Sequence, residues 1–350
     1  MRLILVGFGN VGKALLRLLM DERNPLSRSA SKPQIVAVLD RKGGAIDPAG
    51  LDSAELLRID ESEGTVAATP KVGQFRLSPL TAIKEVEAEI VLELTPTNPA
   101  TGEPGISHIE AALRNSRHVI TTNKGPPALA MRTLQRLARL NNVDFRFSGT
   151  VGGGTPILEY VKQTARVDRI LSLRAILNGT TNYILTQMYD FETSIEEALK
   201  QAQRLGYAEK DPSLDIRGID PALKLAIIAN YALDREIAPN GIHVTGIDNV
   251  TLEEVTRCKR EERKLKLICS IDKEAAVSPQ PIEVSQPICV DGSLNSVQLE
   301  TKYIGEVTLI GPGAGGYPTA TAILNDLLAI EKKHYAKDTL TAEITRIRAY

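Results

Sequence analysis

The sequence predicts an α/β protein, with a doubly wound, mostly parallel sheet in the first half of the chain and an α+β domain after it. Three observations lead to this prediction. Continuously apolar runs alternate with helix-period segments up to about residue 150, a glycine-rich turn directly follows the first run, and the pattern changes after residue 150. Strands that are apolar throughout are covered on both faces, which is typical of parallel sheets.

The elements follow in order along the chain. The first domain has predicted strands at 2–6, 34–39, 90–94 and 118–122, and predicted helices near 10–20, 105–116 and 127–140. In the second domain, predicted strands at 169–177 and 297–309 enclose helices near 182–190, 194–204 and 221–232. The turn GPGAGG at 311–316 leads into an apolar helix that is expected to pack back on the first domain. The predicted boundaries are therefore 1–148, 149–310 and 311–350.

Composition excludes several classes of partner. The 350 residues include 42 basic and 43 acidic side chains, so no broad field favours nucleic acid or an anionic membrane. Cys258, Cys269 and Cys289 have neither CxxC nor Cys/His spacing, which argues against a disulfide scaffold or a zinc cluster. No run approaches the roughly 18 apolar residues of a membrane span. The sequence predicts a cytoplasmic protein that recognises a small molecule.

The first turn predicts a dinucleotide site of the Rossmann type. Gly7-Phe8-Gly9-Asn10-Val11-Gly12 follows the first strand and opens a helix, which is the context that makes a GxGxxG match informative. Gly7 allows the tight turn, Gly9 lets the backbone approach a pyrophosphate, and Gly12 lets helix and strand pack closely. The helix N-terminus supplies free N–H groups for the phosphates.

The end of the second predicted strand leaves NAD and NADP both open. Asp40 is placed to accept a hydrogen bond from a ribose 2′-hydroxyl, as in NAD sites. Arg41 and Lys42 are equally placed to neutralise the 2′-phosphate of NADP. In the third interpretation, all three charged residues are solvated at the end of the strand and bind no cofactor.

Three longer motifs resemble homoserine dehydrogenase, in its monofunctional short form without a regulatory domain. They are TTNKGP at 121–126, NGTTNYIL at 178–185, and LGYAEKDPSLDIRGIDPALKLAI at 205–227. The resemblance covers nearly the whole chain. It implies reduction of L-aspartate 4-semialdehyde to L-homoserine with NADPH or NADH, in threonine and methionine biosynthesis. It also implies a homodimer with a nucleotide domain and a domain for substrate binding and dimerisation.

The resemblance also implies roles for individual residues. Glu209 and Asp220 become substrate ligands, and Lys124 and Lys224 become the lysines at the reacting centre, with Lys224 also binding substrate and Lys124 also near the nicotinamide. Thr95 and Gly315 join the glycine loop as cofactor contacts, and Arg41 is added to them from its position at the end of the second strand. A sodium or potassium site is implied on the backbone of Val151, Gly153 and Thr155. The chain departs from the family near that loop, because Ser148 stands where a glutamate is common.

Local patterns offer plainer interpretations of the same residues. Asp220 followed by Pro221 predicts a helix N-cap, and Lys224 four residues later predicts an exposed salt bridge. A tight turn is the alternative to the cation loop. Asp211 and Asp215 are interpreted as loop carboxylates. The competing functions are another amino-acid dehydrogenase of this fold, for example one acting on aspartate, and a non-catalytic dinucleotide sensor.

Overall fold

The computed structural model describes residues 1–28 and 32–348 and contains two sheets. The first sheet has seven strands in the order β4-β3-β2-β1-β5-β6-β7. Its core strands are parallel, and β3 and β4 extend one edge in antiparallel fashion. The strands are β1 Arg2–Val6, β2 Gln34–Leu39, β3 Gly43–Ile46, β4 Gly73–Phe75, β5 Ile90–Glu93, β6 His118–Thr121 and β7 Phe145–Arg146. The helices are α1 Asn10–Met20, α2 Ser53–Glu63, α3 Pro79–Glu85, α4 Gly105–Arg114 and α5 Gly125–Leu140.

Strand β1 shows why the predicted strands are apolar throughout. Leu3 and Leu5 pack into one core with α1, while Ile4 and Val6 pack into a second core with α4. Helices therefore cover both faces of the sheet, which confirms the predicted Rossmann-type fold. Strand β1 is central: β2 lies beside it on one side, and the chain then crosses over to place β5 on its other side. This reversal leaves a crevice at the carboxyl ends of β1 and β5, where ligands of such sheets bind.

The second sheet has six strands in the order β13-β12-β8-β10-β11-β9 and is antiparallel except for its β11–β9 edge. Helices α6, α7 and α10 pack on it around one large core. The strands are β8 Ile170–Ile176, β9 His243–Val244, β10 Arg263–Ile271, β11 Ala275–Glu283, β12 Leu294–Thr301 and β13 Glu306–Pro312. The helices are α6 Ile157–Val167, α7 Gly179–Phe191, α8 Ile195–Arg204, α9 Ser213–Ile216, α10 Ile219–Ala232 and α11 Leu252–Arg260.

Two features of this half differ from the sequence prediction. The strand predicted at 297–309 is a hairpin of β12 and β13, closed by a turn in which Thr301 N donates to Gly305 O. The hairpin of β10 and β11 was not predicted, because β10 reads RKLKLICSI and its lysines look like those of a solvated segment. Lys266 is nevertheless fully buried in this sheet.

The last helix, α12 Gly316–Arg348, returns to the first sheet. Ala320, Ile323, Leu327 and Ile330 join the core that contains Leu3 and Leu5. The domain boundaries at 148 and 310 stay a prediction. Within the described ranges, no helix combines the length and the apolar composition that crossing a bilayer requires.

A buried carboxylate fixes α12 to Ser148, the position where the chain departs from the family pattern. Asp326 is 1% exposed and accepts hydrogen bonds from Ser148 N at 3.1 Å and Ser148 Oγ at 2.8 Å. Burial raises the pKa of Asp326 to about 6, despite these hydrogen bonds and the nearby Arg146.

This raised pKa predicts how stability changes with pH. Between the ordinary pKa of 3.8 and the folded pKa of about 6, the native state holds a proton that the unfolded state has lost. The contribution of Asp326 to the free energy of unfolding therefore falls as pH rises through this window, by about 3 kcal/mol in total. Urea denaturation of the wild type and Asp326→Asn at pH 4 to 7 measures it. A stability difference between the two chains that does not change with pH would contradict the prediction.

Candidate active site

The glycine loop has the geometry of a phosphate cradle. Gly7 has φ +106°, and a Cβ there would lie 2.7 Å from the Leu94 carbonyl carbon, so only glycine fits. A Cβ at Gly12 would lie 3.0 Å from Gly7 O. No side chain caps the N-terminus of α1, and a Cβ at Gly9 would meet open space. The first N–H groups of α1 thus face a space that a pyrophosphate can fill.

The carboxylate of Asp40 is already satisfied within the protein. One oxygen accepts from Lys42 N at 2.7 Å and Gly43 N at 3.1 Å. The other accepts from Thr65 Oγ at 2.7 Å and Val66 N at 2.9 Å. Four donors occupy the roughly four acceptor positions of a carboxylate. Arg41 and Lys42 are exposed, and neither forms an ion pair with any residue that the structure describes.

The two predicted lysines meet on one carboxylate. Asp220 lies 2.7 Å from Lys224 Nζ and 3.3 Å from Lys124 Nζ, and it accepts from Asn178 Nδ2 at 2.8 Å. Burial opposes ionisation of Asp220, but the attraction of Lys224 and Lys124, with hydrogen bonds from Lys224 and Asn178, outweighs it and holds the pKa well below its usual range. The fold therefore assembles a charged cluster from α10 and from the residues that directly precede α5 and α7.

The structure contradicts the plainer interpretations of Asp220 and Lys224. Helix α10 begins at Ile219 after Gly218, which has φ +76°, so Asp220 lies in the first turn and is not the N-cap. The i,i+4 ion pair with Lys224 does form, but both side chains are buried rather than exposed. A left-handed glycine starts the helix here, which leaves the Asp220 carboxylate to Asn178 and the lysines.

Asn178 connects this cluster to a residue that sequence reasoning missed. Its Oδ1 caps α7 by accepting from Thr181 N, while Nδ2 donates to both Asp220 and Asp215. Burial, and then repulsion from Asp220, raise the pKa of Asp215. Asp215 is thus a half-buried member of the site, not a loop carboxylate. The density of acidic residues at 209–220 was the only signal for it, since α9 is too short to predict.

Among the predicted catalytic and substrate-binding residues, Glu209 is the one outside the cluster. It is exposed, and its side chain forms no hydrogen bond or ion pair with any residue in the described ranges. The neighbouring Tyr207 O accepts from Thr180 Oγ at 2.7 Å, which ties this segment to the start of α7. Asp211 is exposed and accepts from Ser213 N, as a turn residue does.

The second glycine-rich turn, Gly311 to Gly316, lies against the first glycine loop and against the predicted cation loop. A Cβ at Gly316 would lie 3.1 Å from Asn10 O, at the start of α1. Thr155 Oγ donates to Pro312 O at 2.9 Å, and Gly153 approaches Ala314. Gly315, with φ +122°, is therefore next to the glycine loop.

The predicted cation loop fits a backbone site in part. The carbonyl oxygens of Val151 and Gly153 accept no hydrogen bond from the described residues, and Val151 is fully buried. The Thr155 oxygen accepts from Ile157 N at 2.7 Å. Two unpaired carbonyls beside a buried position are suitable ligands for a monovalent cation.

Comparison with known proteins decides the family. A homoserine dehydrogenase of Methanocaldococcus jannaschii is 40% identical over 331 residues, which span 94% of this chain and 98% of that protein. The chain belongs to the homoserine dehydrogenase family. An NAD(+)-dependent homoserine dehydrogenase of Pseudomonas canavaninivorans is 37% identical, and the alignment spans 97% and 99% of the two chains. This membership confirms the resemblance and the predicted oxidoreductase class.

Family models and solved structures agree with this family membership. The homoserine dehydrogenase model matches residues 156–328, and a Glutamate/Leucine/Phenylalanine/Valine dehydrogenase model matches residues 1–103. A hyperthermophilic archaeal homoserine dehydrogenase in complex with NADPH has a TM-score of 0.81 and 27% identity, covering 95% and 98% of the two chains. A homoserine dehydrogenase of Thiobacillus denitrificans has a TM-score of 0.82 and 29% identity, covering 96% of this chain and 74% of that one.

Proposed function

We propose that this chain interconverts L-aspartate 4-semialdehyde and L-homoserine with NAD or NADP, in threonine and methionine biosynthesis, and that Lys124, Asp220 and Lys224 are its reacting centre. The cluster of these three residues is the observation that carries the proposal. Lys124 directly precedes α5, three residues after β6 ends, and its amide donates to Thr97 Oγ at 3.1 Å, beyond the end of β5. The cluster therefore borders the crevice that the glycine loop opens.

The chain's own part in this reaction is to place charge and a proton. When bound, the nicotinamide supplies the hydride in reduction and accepts it in oxidation. Lys224 Nζ donates to Leu177 O and Asp220, which leaves the third of its N–H groups for the substrate oxygen. Lys124 places a second positive charge on the other side of Asp220. Two cations fixed beside the oxygen that gains negative charge stabilise it without reorganisation.

The remainder of the substrate is an amino acid with groups of both charges. Its ammonium requires carboxylates, which we assign to Glu209 and Asp220. Its carboxylate suits the N-terminus of α7 beside Thr180. Glu209 is free to take this role, because its side chain has no partner among the described residues.

The direct test is oxidation of L-homoserine by the purified chain with NAD or NADP, followed as reduced nicotinamide absorbance. L-Aspartate and L-glutamate serve as parallel substrates, since the second family model raises an amino-acid dehydrogenase as the alternative. Turnover of homoserine alone supports the proposal. Turnover of aspartate or glutamate instead, or dinucleotide binding without any turnover, would refute it.

The neighbourhood of Asp40 predicts how Arg41 acts on cofactor choice. We expect Arg41→Ala to lower kcat/KM for NADP by about tenfold and to change it by less than twofold for NAD, because an exposed guanidinium contributes about 1.5 kcal/mol to a charged hydrogen bond with phosphate. Arg58→Ala, a surface arginine of α2, is the control. Equal losses with both cofactors would contradict a role at the 2′-phosphate.

The remaining assignments are proposals of the same kind. We propose that Gly7 to Gly12, Thr95, Lys124 and Gly315 bind the cofactor, and that Val151, Gly153 and Thr155 hold a sodium or potassium ion. We propose a cytoplasmic protein, which its three free cysteines support. We also propose a homodimer through the second sheet, where Leu294 and Ile310 on neighbouring strands are exposed. Light scattering that gives the mass of one chain would exclude the dimer.

A further inference from the structure

A buried polar network lies beneath the crevice, and Thr95 is its only member with a role in the proposed function. Glu93, the last residue of β5, is fully buried, and His108 of α4 lies 3.9 Å from it. Thr95 donates to Glu93 through both its amide and its hydroxyl. Asn123 Nδ2 in turn donates to Thr95 Oγ at 3.2 Å. The network ends beside Lys124 and Gly7, whose added Cβ would lie 3.0 Å from Thr95 N.

This network fixes the direction of the Thr95 hydroxyl group. The Thr95 hydroxyl donates its single proton to Glu93 Oε1, the oxygen that also accepts from the Thr95 amide. A hydroxyl oxygen has two acceptor positions, and Asn123 uses one of them. Thr95 is partly exposed at the crevice. What it presents there is therefore an acceptor and never a donor.

We infer that Glu93 is a positioning residue that makes Thr95 an obligate acceptor for the carboxamide N–H of the nicotinamide. This inference rests on the proposed binding of the cofactor beside Thr95. The carboxamide has one carbonyl and one NH₂ group on the same carbon, so an acceptor at a fixed point selects one of its two orientations. A fixed carboxamide would in turn fix the orientation of the nicotinamide ring for hydride transfer near Lys124 and Lys224.

The test compares NAD with its 3-acetylpyridine analogue, which keeps the carbonyl but replaces the NH₂ group by methyl. Isothermal titration calorimetry of the whole chain measures both dissociation constants without substrate. We expect Thr95→Val to lower the preference for NAD over the analogue about fivefold relative to wild type, the scale of one hydrogen bond. Thr95→Ser restores the hydroxyl and should keep the wild-type preference. Thr256→Val removes a hydroxyl on distant α11 and is the control.

Glu93→Asp tests the positioning role without removing the charge beside His108. The shorter side chain withdraws the carboxylate from Thr95, so the hydroxyl is free to rotate, and the same fivefold loss is expected. A wild-type preference in Thr95→Val or in Glu93→Asp would overturn the inference. Failure of the wild type to oxidise homoserine would refute the proposed reaction instead, and the calorimetric ratios would still decide the role of Thr95.

Discussion

Replacing Lys224 with methionine is expected to lower the turnover of L-homoserine by at least about a hundredfold, the scale of lost acid/base or electrostatic assistance. Methionine keeps the unbranched stem that packs in α10, but it removes the charge that lies 2.7 Å from Asp220. Lys264→Met is the matched control, because Lys264 is also a largely buried lysine paired with an aspartate. Near wild-type turnover in Lys224→Met would remove this lysine from the reacting centre.

Loss of turnover alone does not separate chemistry from folding, since Lys224 is buried. Removing one partner of a buried ion pair destabilises a protein by about 3–5 kcal/mol. The double variant Asp220→Asn, Lys224→Met removes both charges and is expected to recover much of that stability in urea denaturation. Its turnover should stay low. Recovery of turnover together with stability would show that Lys224 acts only in folding.

Replacing Lys124 with methionine is expected to lower turnover by a similar factor of about a hundred, with little effect on stability. Lys124 lies farther from Asp220, at 3.3 Å, and 26% of its side chain is exposed, so less charge is left unpaired in the interior. Lys259→Met is the control, because Lys259 is 34% exposed and pairs with Glu192 at 2.9 Å. Turnover assays of both variants measure the loss of rate, and urea denaturation measures the change in the free energy of unfolding.

The two lysine variants together separate two parts of the proposal. If both lower turnover while only Lys224→Met lowers stability, then the two lysines share the reaction but not the structural role. A Lys124→Met chain with wild-type kcat and a raised KM for cofactor would instead make Lys124 a cofactor ligand alone.

Prediction from sequence failed mainly where charge was buried. The i,i+4 spacing and the Asp-Pro step are local signals, and they indicated an exposed pair after a helix cap. Only the family resemblance assigned Lys224 and Asp220 to the site. Gly218 takes a left-handed conformation and becomes the N-cap, so the helix begins two residues earlier than it would with Asp220 as the cap. The composition of the segment gives no sign of this. Asp215 was interpreted as a loop residue because its place in the site depends on a hydrogen bond from Asn178, 37 positions away.

The sequence by itself determined the parallel sheet, the glycine loop and the family. Each depends on local regularities: apolar runs covered on both faces, glycines at fixed spacing, and contiguous motifs. Only the tertiary structure decided which charges meet. Lys124 and Asn178 precede two different helices and Asp220 lies on a third, and Glu93 reaches Thr95 and His108 from the end of a strand. The strength of such contacts depends on burial and on separations of a few ångströms, and packing sets both.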